Sequence, residues 1–150
     1  MDVKIRFAVP ADIDTIVQLC EEHAAFEQAE YDPIGKTQKL HKSMFSTPQE
    51  LYCLLVEIDN NVIGFATYMK QFSTWDAESY VYMDCLFLQE KGRSKGIGQK
   101  LVLRIAEEAK ALKCSFLQWQ TPSFNERAIN FYKKIGAVSK SKERFFLAIK

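Results

Sequence analysis

Residues 79 to 120 constrain the fold more than any other part of the chain. They read as an apolar strand, SYVYMDCLFL (79–88), a glycine-rich loop, a helix over 98–112 and a second apolar strand, SFLQWQ (115–120). From Ile97 onward, Leu101, Ile105, Ala109 and Leu112 form one apolar stripe at helical spacing. A strand that reaches another strand through a helix of this length makes a crossover, so the two strands lie parallel in one sheet.

The flanking segments extend that sheet. VKIRFAV (3–9) alternates apolar and polar residues, Pro10 ends it, and Asp12 stands where a cap would open a helix running to about Phe26. A shorter helix follows over 37–45. LYCLLVEID (51–59) and VIGFATYMKQF (62–72) read as strands joined by a turn at Asn60–Asn61. NERAINFYKKI (125–135) is an amphipathic helix closed by Gly136, and RFFLAI (144–149) reads as a last strand. This order predicts one α/β (α+β) domain over 1–150, without repeats or linkers. Its mixed, mostly antiparallel sheet is expected to have six to seven strands, with helices on both faces.

Composition narrows the partners. A formal net charge of +1 supplies no global field that would mark a nucleic-acid or membrane surface. The N-terminus lacks the apolar centre of a signal peptide, and no run reaches the roughly 18 apolar residues that a membrane span needs. Cys20, Cys53, Cys85 and Cys114 are far apart and form no CxxC pair, so reduced thiols and a cytoplasmic location are expected. His23 and His41 have no partners at metal-binding spacing, and no metal is expected.

The loop QEKGRSKGIGQKL (89–101) raises the question of phosphate binding. It lacks the Lys-Ser/Thr of a P-loop. A dinucleotide fingerprint fails as well, because Gln99, Lys100 and Leu101 follow Gly96-Ile97-Gly98 and the next strand ends in Gln118 and Gln120, without a carboxylate. Two readings stay open on the loop alone. It is a solvated turn, or it is a cradle whose exposed amides at a helix N-terminus hold a dianion.

RSKGIG (93–98), following MDCLFL, resembles the Arg/Gln-x-x-Gly-x-Gly/Ala motif of the GNAT superfamily of acyl-CoA-dependent N-acetyltransferases. NERAINFYKKIGA (125–137) is similar to that superfamily's later asparagine-to-tyrosine helix, with Asn125, Phe131, Tyr132 and Gly136 in register. CEEHAAFEQAE, the excursion around Trp75 and YVYMDCLFL look most like the spermidine/spermine acetyltransferases and their thialysine-acetylating relatives.

The resemblance implies acetyl-CoA as co-substrate. Leu86, Phe87 and Leu88 would line its pantetheine arm, and the amides of Arg93, Ser94, Lys95, Gly96, Ile97 and Gly98 would hold the pyrophosphate. Asn125 would contact the cofactor from across the cleft. It further implies a small-molecule primary amine as acceptor and a homodimer, for which 144–149 is a candidate interface strand.

Asp84 is the candidate base. It is a carboxylate in an apolar strand, nine residues before Arg93, where the polyamine-acetylating relatives carry glutamate. The missing methylene favours a water relay over direct proton abstraction. Strand alternation, barring a bulge, puts Tyr80, Tyr82, Asp84 and Leu86 on one face. Tyr132 matches the family's tyrosine beside the thioester sulfur and is the candidate acid. Glu27, Trp75 and Tyr82, with Asp84, are candidates for holding the acceptor. Against these roles stand plainer ones: Asp84 paired with a cation, Tyr132 as core packing, Glu27 as a solvated helix end, Trp75 as a dimer contact. Three other functions remain open: a protein lysine or N-terminal acetyltransferase of the same fold, a silent acyl-CoA-binding module and a nucleotide-binding protein.

Overall fold

Alternating apolar residues become strand only where a neighbouring edge takes up their N–H and C=O groups. The computed structural model describes all of residues 1–150 and shows five such strands. The chain parts into two compact units, residues 1–120 and 121–150.

The first unit holds the sheet: β1 (Val3–Phe7), β2 (Tyr52–Ile58), β3 (Asn61–Ser73), β4 (Glu78–Leu88) and β5 (Leu117–Trp119), side by side in that order. β1 to β4 pair antiparallel, and β5 runs parallel to β4. Between β4 and β5 runs α3 (Ile97–Ala111), the expected crossover helix. α1 (Ile13–Phe26) and α2 (Lys36–Phe45) connect β1 to β2.

Helices cover both faces. Ile13, Ile16 and Leu19 of α1 and Met44 of α2 pack with Cys53, Leu55, Phe65 and Phe87, one face of β2–β4. Leu54, Val56, Ala66 and Tyr68 alternate with these and are fully buried on the opposite face. There Tyr68 lies within electrostatic reach of Arg104 and Glu108 of α3, and burial pushes its hydroxyl pKa well up. Ile97, Leu101, Ile105 and Ala109 form the buried stripe of α3.

Three expectations are corrected. The β2–β3 turn sits one residue earlier than expected: Asp59 and Asn60 both take positive φ (50° and 69°), as a type I′ turn requires, and Ile58 faces Asn61. Asp12 stands at the N-cap of α1 but does not bond its amides. Its carboxylate turns back to the Val9 N–H and to Arg6, each at 2.8 Å, and Arg6 also bonds Glu57 of β2. Finally, the sheet has five strands, and 144–149 joins no ladder. Phe145, Phe146, Leu147 and Ile149 there are 80–92% exposed. Strand propensity makes a segment able to pair, but it does not supply the partner edge.

The second unit contains α4 (Glu126–Lys134). Asn125 caps it, its side-chain oxygen accepting from Ala128 N–H at 3.1 Å. Gly136 ends it at φ 102°, with Gly136 N–H bonding Lys133 O and Ala137 N–H bonding Tyr132 O, the paired bonds of a glycine-closed helix end.

Candidate active site

The site begins with a mismatch of strand lengths. Thr67 of β3 pairs with Cys85 of β4, whereas its neighbour Tyr68 pairs with Met83. One residue of β4 is left over, and it is Asp84. The carboxylate that stood out in an apolar strand is thus the extra residue of a β-bulge, exposed rather than locked into the ladder.

The bulge breaks the expected alternation. Tyr82 faces Met69 and Leu86 faces Ala66, three residues apart on an uninterrupted β3. Tyr82 and Leu86 therefore point to opposite faces, with Asp84 at the change-over.

β5 follows β4 only as far as the bulge. Its pairs are Val81–Leu117, Tyr82–Gln118 and Met83–Trp119, and from Asp84 to Leu88 that edge of β4 has no strand beside it. Gln89 N–H is spent on Ile63 O of β3 at 2.8 Å, so by alternation Leu88 and Leu86 turn their backbone groups to the open edge. Phe87 between them faces the other way, its ring buried against α1.

At the end of this edge stands the glycine loop. Ser94 and Gly96 both take positive φ (60° and 75°), and a Cβ on Gly96 would meet nothing within 4 Å. Gly96 is the N-cap of α3, and no side chain caps that helix. The first backbone bond into it is Lys100 N–H to Gly96 O at 3.2 Å, so the amides of its opening turn have no helical acceptor. Uncapped amides at the positive end of a fifteen-residue helix favour an anion. Arg93 is held inward, Nε donating to Leu88 O at 2.8 Å and the guanidinium 4.3 Å from the Phe26 ring centre. Ile97 is buried and contributes only its backbone.

On the α1 side, Cys85 Sγ lies 3.9 Å from Asp84 Oδ2. Burial, reinforced by the Asp84 charge, pushes the Cys85 thiol up to about 12. Burial likewise takes Cys20 to about 11, with Asp84 again contributing. Both are therefore neutral thiols at physiological pH. Glu27 pairs with His23 at 2.8 Å, and its charge also reaches Cys85.

Trp75 does not join them. It is 96% exposed at the tip of the β3–β4 hairpin. Five residue steps separate the innermost hairpin pair, Ser73–Glu78, from Tyr68–Met83 beside the bulge. At strand rise that is roughly 17 Å.

In the second unit, Tyr132 lies half-buried on α4, its ring 5.3 Å from that of Phe131, and Asn125 commits its oxygen to the cap. A cavity of about 330 Å³, lined by Phe7, Met44, Phe45, Tyr52 and Cys53, among others, includes none of the candidate residues. The candidate site is an open strand edge, not an enclosed hole.

Sequence reasoning missed the bulge and the His23–Glu27 pair. Only the break in apolar alternation at Asp84 and the i,i+4 spacing of His23 and Glu27 signalled them.

The model of the acetyltransferase (GNAT) family matches residues 16–137, spanning both compact units. The chain belongs to the acetyltransferase (GNAT) family. Among its GNAT relatives is a mouse (Mus musculus) thialysine N-epsilon-acetyltransferase, 28% identical over 142 residues, covering 89% of this chain and 83% of the relative. A D-amino-acid N-acetyltransferase of Saccharomyces cerevisiae is 27% identical over 134 residues, with the same two coverages of 89% and 83%. Among solved GNAT-like folds, an aminoglycoside acetyltransferase from an uncultured soil metagenomic sample superposes with a TM-score of 0.83. It is 17% identical, over 99% of this chain and 97% of that one, a likeness of fold alone. No helix of the chain is long and apolar enough to cross a membrane.

Proposed function

We propose that the chain, acting as one domain over residues 1–150, transfers an acetyl group from acetyl-CoA to a primary amine of a small molecule. The observation that carries this reading is the open edge of β4 from Asp84 to Leu88, with a bulged carboxylate at one end and the uncapped start of α3 at the other. The relatives named for thialysine and D-amino acids support a small amino compound as acceptor.

The chemistry assigns work to each part. Backbone groups of Leu86 and Leu88 would pair with the pantetheine amides, and the amides from Ser94 to Gly98 would receive the pyrophosphate. Gly96 suits that task, because it leaves the approach to the backbone clear. Asn125, whose oxygen is committed to the α4 cap, keeps its NH₂ group for the cofactor. An alkylammonium is neutral to only about one part in 10³ at pH 7, so a proton must leave before attack. Asp84 takes it, directly or through a water, and its exposure at the bulge suits both routes. The amine nitrogen bonds to the thioester carbon and gives up its second proton to solvent as the C–S bond breaks, while the hydroxyl of Tyr132 protonates the departing thiolate and regains a proton from solvent. The match of 125–137 to the family's asparagine-to-tyrosine helix supports that last role.

The four free cysteines support a reducing, cytoplasmic setting, and the exposed apolar run 144–149 supports a homodimer.

The test is release of CoA thiol from acetyl-CoA against a panel of polyamines, thialysine, ornithine, D- and L-amino acids, aminoglycosides and a lysine peptide. Turnover with a small amine supports the reading. Turnover with the peptide alone makes this a protein acetyltransferase, and saturable acetyl-CoA binding without thiol release makes it a binding module.

A further inference from the structure

Glu27 lies at the end of α1, where a glutamate is ordinarily solvated and free among rotamers. Here both its backbone and its carboxylate are held. Gln28 takes a φ of 59°, Gln28 N–H bonds Ala25 O at 3.1 Å and Ala29 N–H bonds Ala24 O at 2.8 Å, so the helix closes directly after Glu27. His23, one turn earlier, brings Nε2 to 2.8 Å from Glu27 Oε2. An ionised carboxylate only accepts, so Nε2 carries the proton in this pair.

The imidazole is fixed in turn. It stacks on Phe87 with ring centres 5.3 Å apart and planes 25° apart, and it meets Phe65 edge-on at 6.2 Å. Its side chain retains 14% exposure, that of Glu27 32%. A ring seated between two aromatics turns away only by losing both contacts. The donor is therefore preorganised and the carboxylate it holds still faces solvent, which is the arrangement a counter-charge for a ligand needs. β4 connects this pair with the bulge: the His23 ring stacks on Phe87, and Cys85, two residues earlier on that strand, has its thiol 3.9 Å from Asp84.

We infer that His23 is a positioning residue for the acceptor amine: by donating Nε2–H to Glu27 it holds that carboxylate as a second anionic contact beside Asp84. The inference rests on the reading that Asp84 marks the acceptor side. His23 itself touches neither the reacting nitrogen nor the thioester. It narrows the orientations of Glu27, so its effect falls on acceptor binding and not on the chemical step.

Rates with the amine varied at saturating acetyl-CoA, for wild type, His23→Leu, His23→Gln, Glu27→Gln and the His23→Leu/Glu27→Gln double variant, test this. His23→Leu should raise KM for the amine about tenfold with kcat within about twofold and KM for acetyl-CoA unchanged. His23→Gln, which keeps an N–H donor, should recover most of that loss. The double variant should be no worse than the poorer single one, because both substitutions remove one interaction. An unchanged amine KM in folded His23→Leu overturns the inference. So do equal losses in the Leu and Gln variants, or additive losses in the double variant. If wild type releases thiol with no amine, the acetyl-transfer reading falls separately, and the ¹⁵N spectrum of the His23 imidazole decides the pairing. An Nε2 signal that shifts in Glu27→Gln supports it, and one indifferent to that substitution overturns it.

Discussion

Arg93 reaches back across its own loop to Leu88: Nε donates to the Leu88 carbonyl at 2.8 Å, and the guanidinium lies over the rings of Phe26 and Phe87 at 4.3 and 5.6 Å. The cation thus clamps the glycine loop to the open end of β4 instead of standing free for a phosphate. Arg93→Lys keeps the charge but loses the planar fork and much of the stacking. We expect KM for acetyl-CoA to rise about tenfold with little change in KM for the amine. Rates measured against acetyl-CoA concentration check this, and an unchanged value would mean that the loop holds its shape without the clamp.

The two catalytic assignments are separable from binding. Asp84→Asn and Tyr132→Phe should each lower kcat by about 10²-fold or more. Both variants should still bind acetyl-CoA, which calorimetry can measure. Turnover near wild type in either folded variant removes that residue from the mechanism.

Two glycines are required for different reasons. At Gly64, an added Cβ would stand 2.5 Å from Leu88 Cδ2 and 2.6 Å from the Phe87 carbonyl oxygen, and the latter cannot move without shifting β4. Gly64→Ala should therefore destabilise the fold by about 3 kcal/mol. At Gly96 the space is open and only the positive φ resists, so Gly96→Ala should cost about 1 kcal/mol. Urea midpoints of the two variants should fall in that order, and equal midpoints would contradict the packing account.

Asp12 ties stability to pH. Its hydrogen bond from Arg6, aided by the Val9 N–H and opposed by partial burial, holds its pKa below the ordinary carboxylate value. A depressed folded value stabilises the protein fully above the unfolded pKa near ~3.9, and that contribution is lost as pH falls through the folded value. Asp12→Asn should cost about 2 kcal/mol at pH 7, the strength of a charge-assisted bond. The gap from wild type should close below about pH 4. Denaturation curves across that range check both the size and the sign, and a gap that widens in acid would refute the assignment.

Local pattern made most of the elements legible. The stripe from Ile97 to Ala109, the alternation in 3–9 and the apolar run 51–59 became a helix and two strands within a residue or two of the expected bounds. The crossover between β4 and β5 followed from the length of the helix joining them. The RSKGIG loop and the asparagine-to-tyrosine helix carry the resemblance to the family in the sequence itself. Asp84 stands out in the sequence by its charge in an apolar strand and its nine-residue spacing from Arg93, whereas its bulge depends on how many residues β3 offers opposite it. A two-stranded arm separates Trp75 from Asp84, and a run of residues does not reveal how far a hairpin extends beyond its sheet.

The sequence by itself determined what depends on near neighbours: helix and strand periodicity, the glycine that must open α3, the closure of α4 at Gly136, and the family. Tertiary structure alone decided which hydrogen-bond partner each group meets. It made Asp84 a bulge, turned Arg93 onto Leu88, seated the His23 ring against Phe65 and Phe87 and left 144–149 without a ladder. The physical reason is that periodicity is written in side-chain spacing along one segment. A hydrogen bond between distant residues depends on where two segments are brought together, which neither encodes alone.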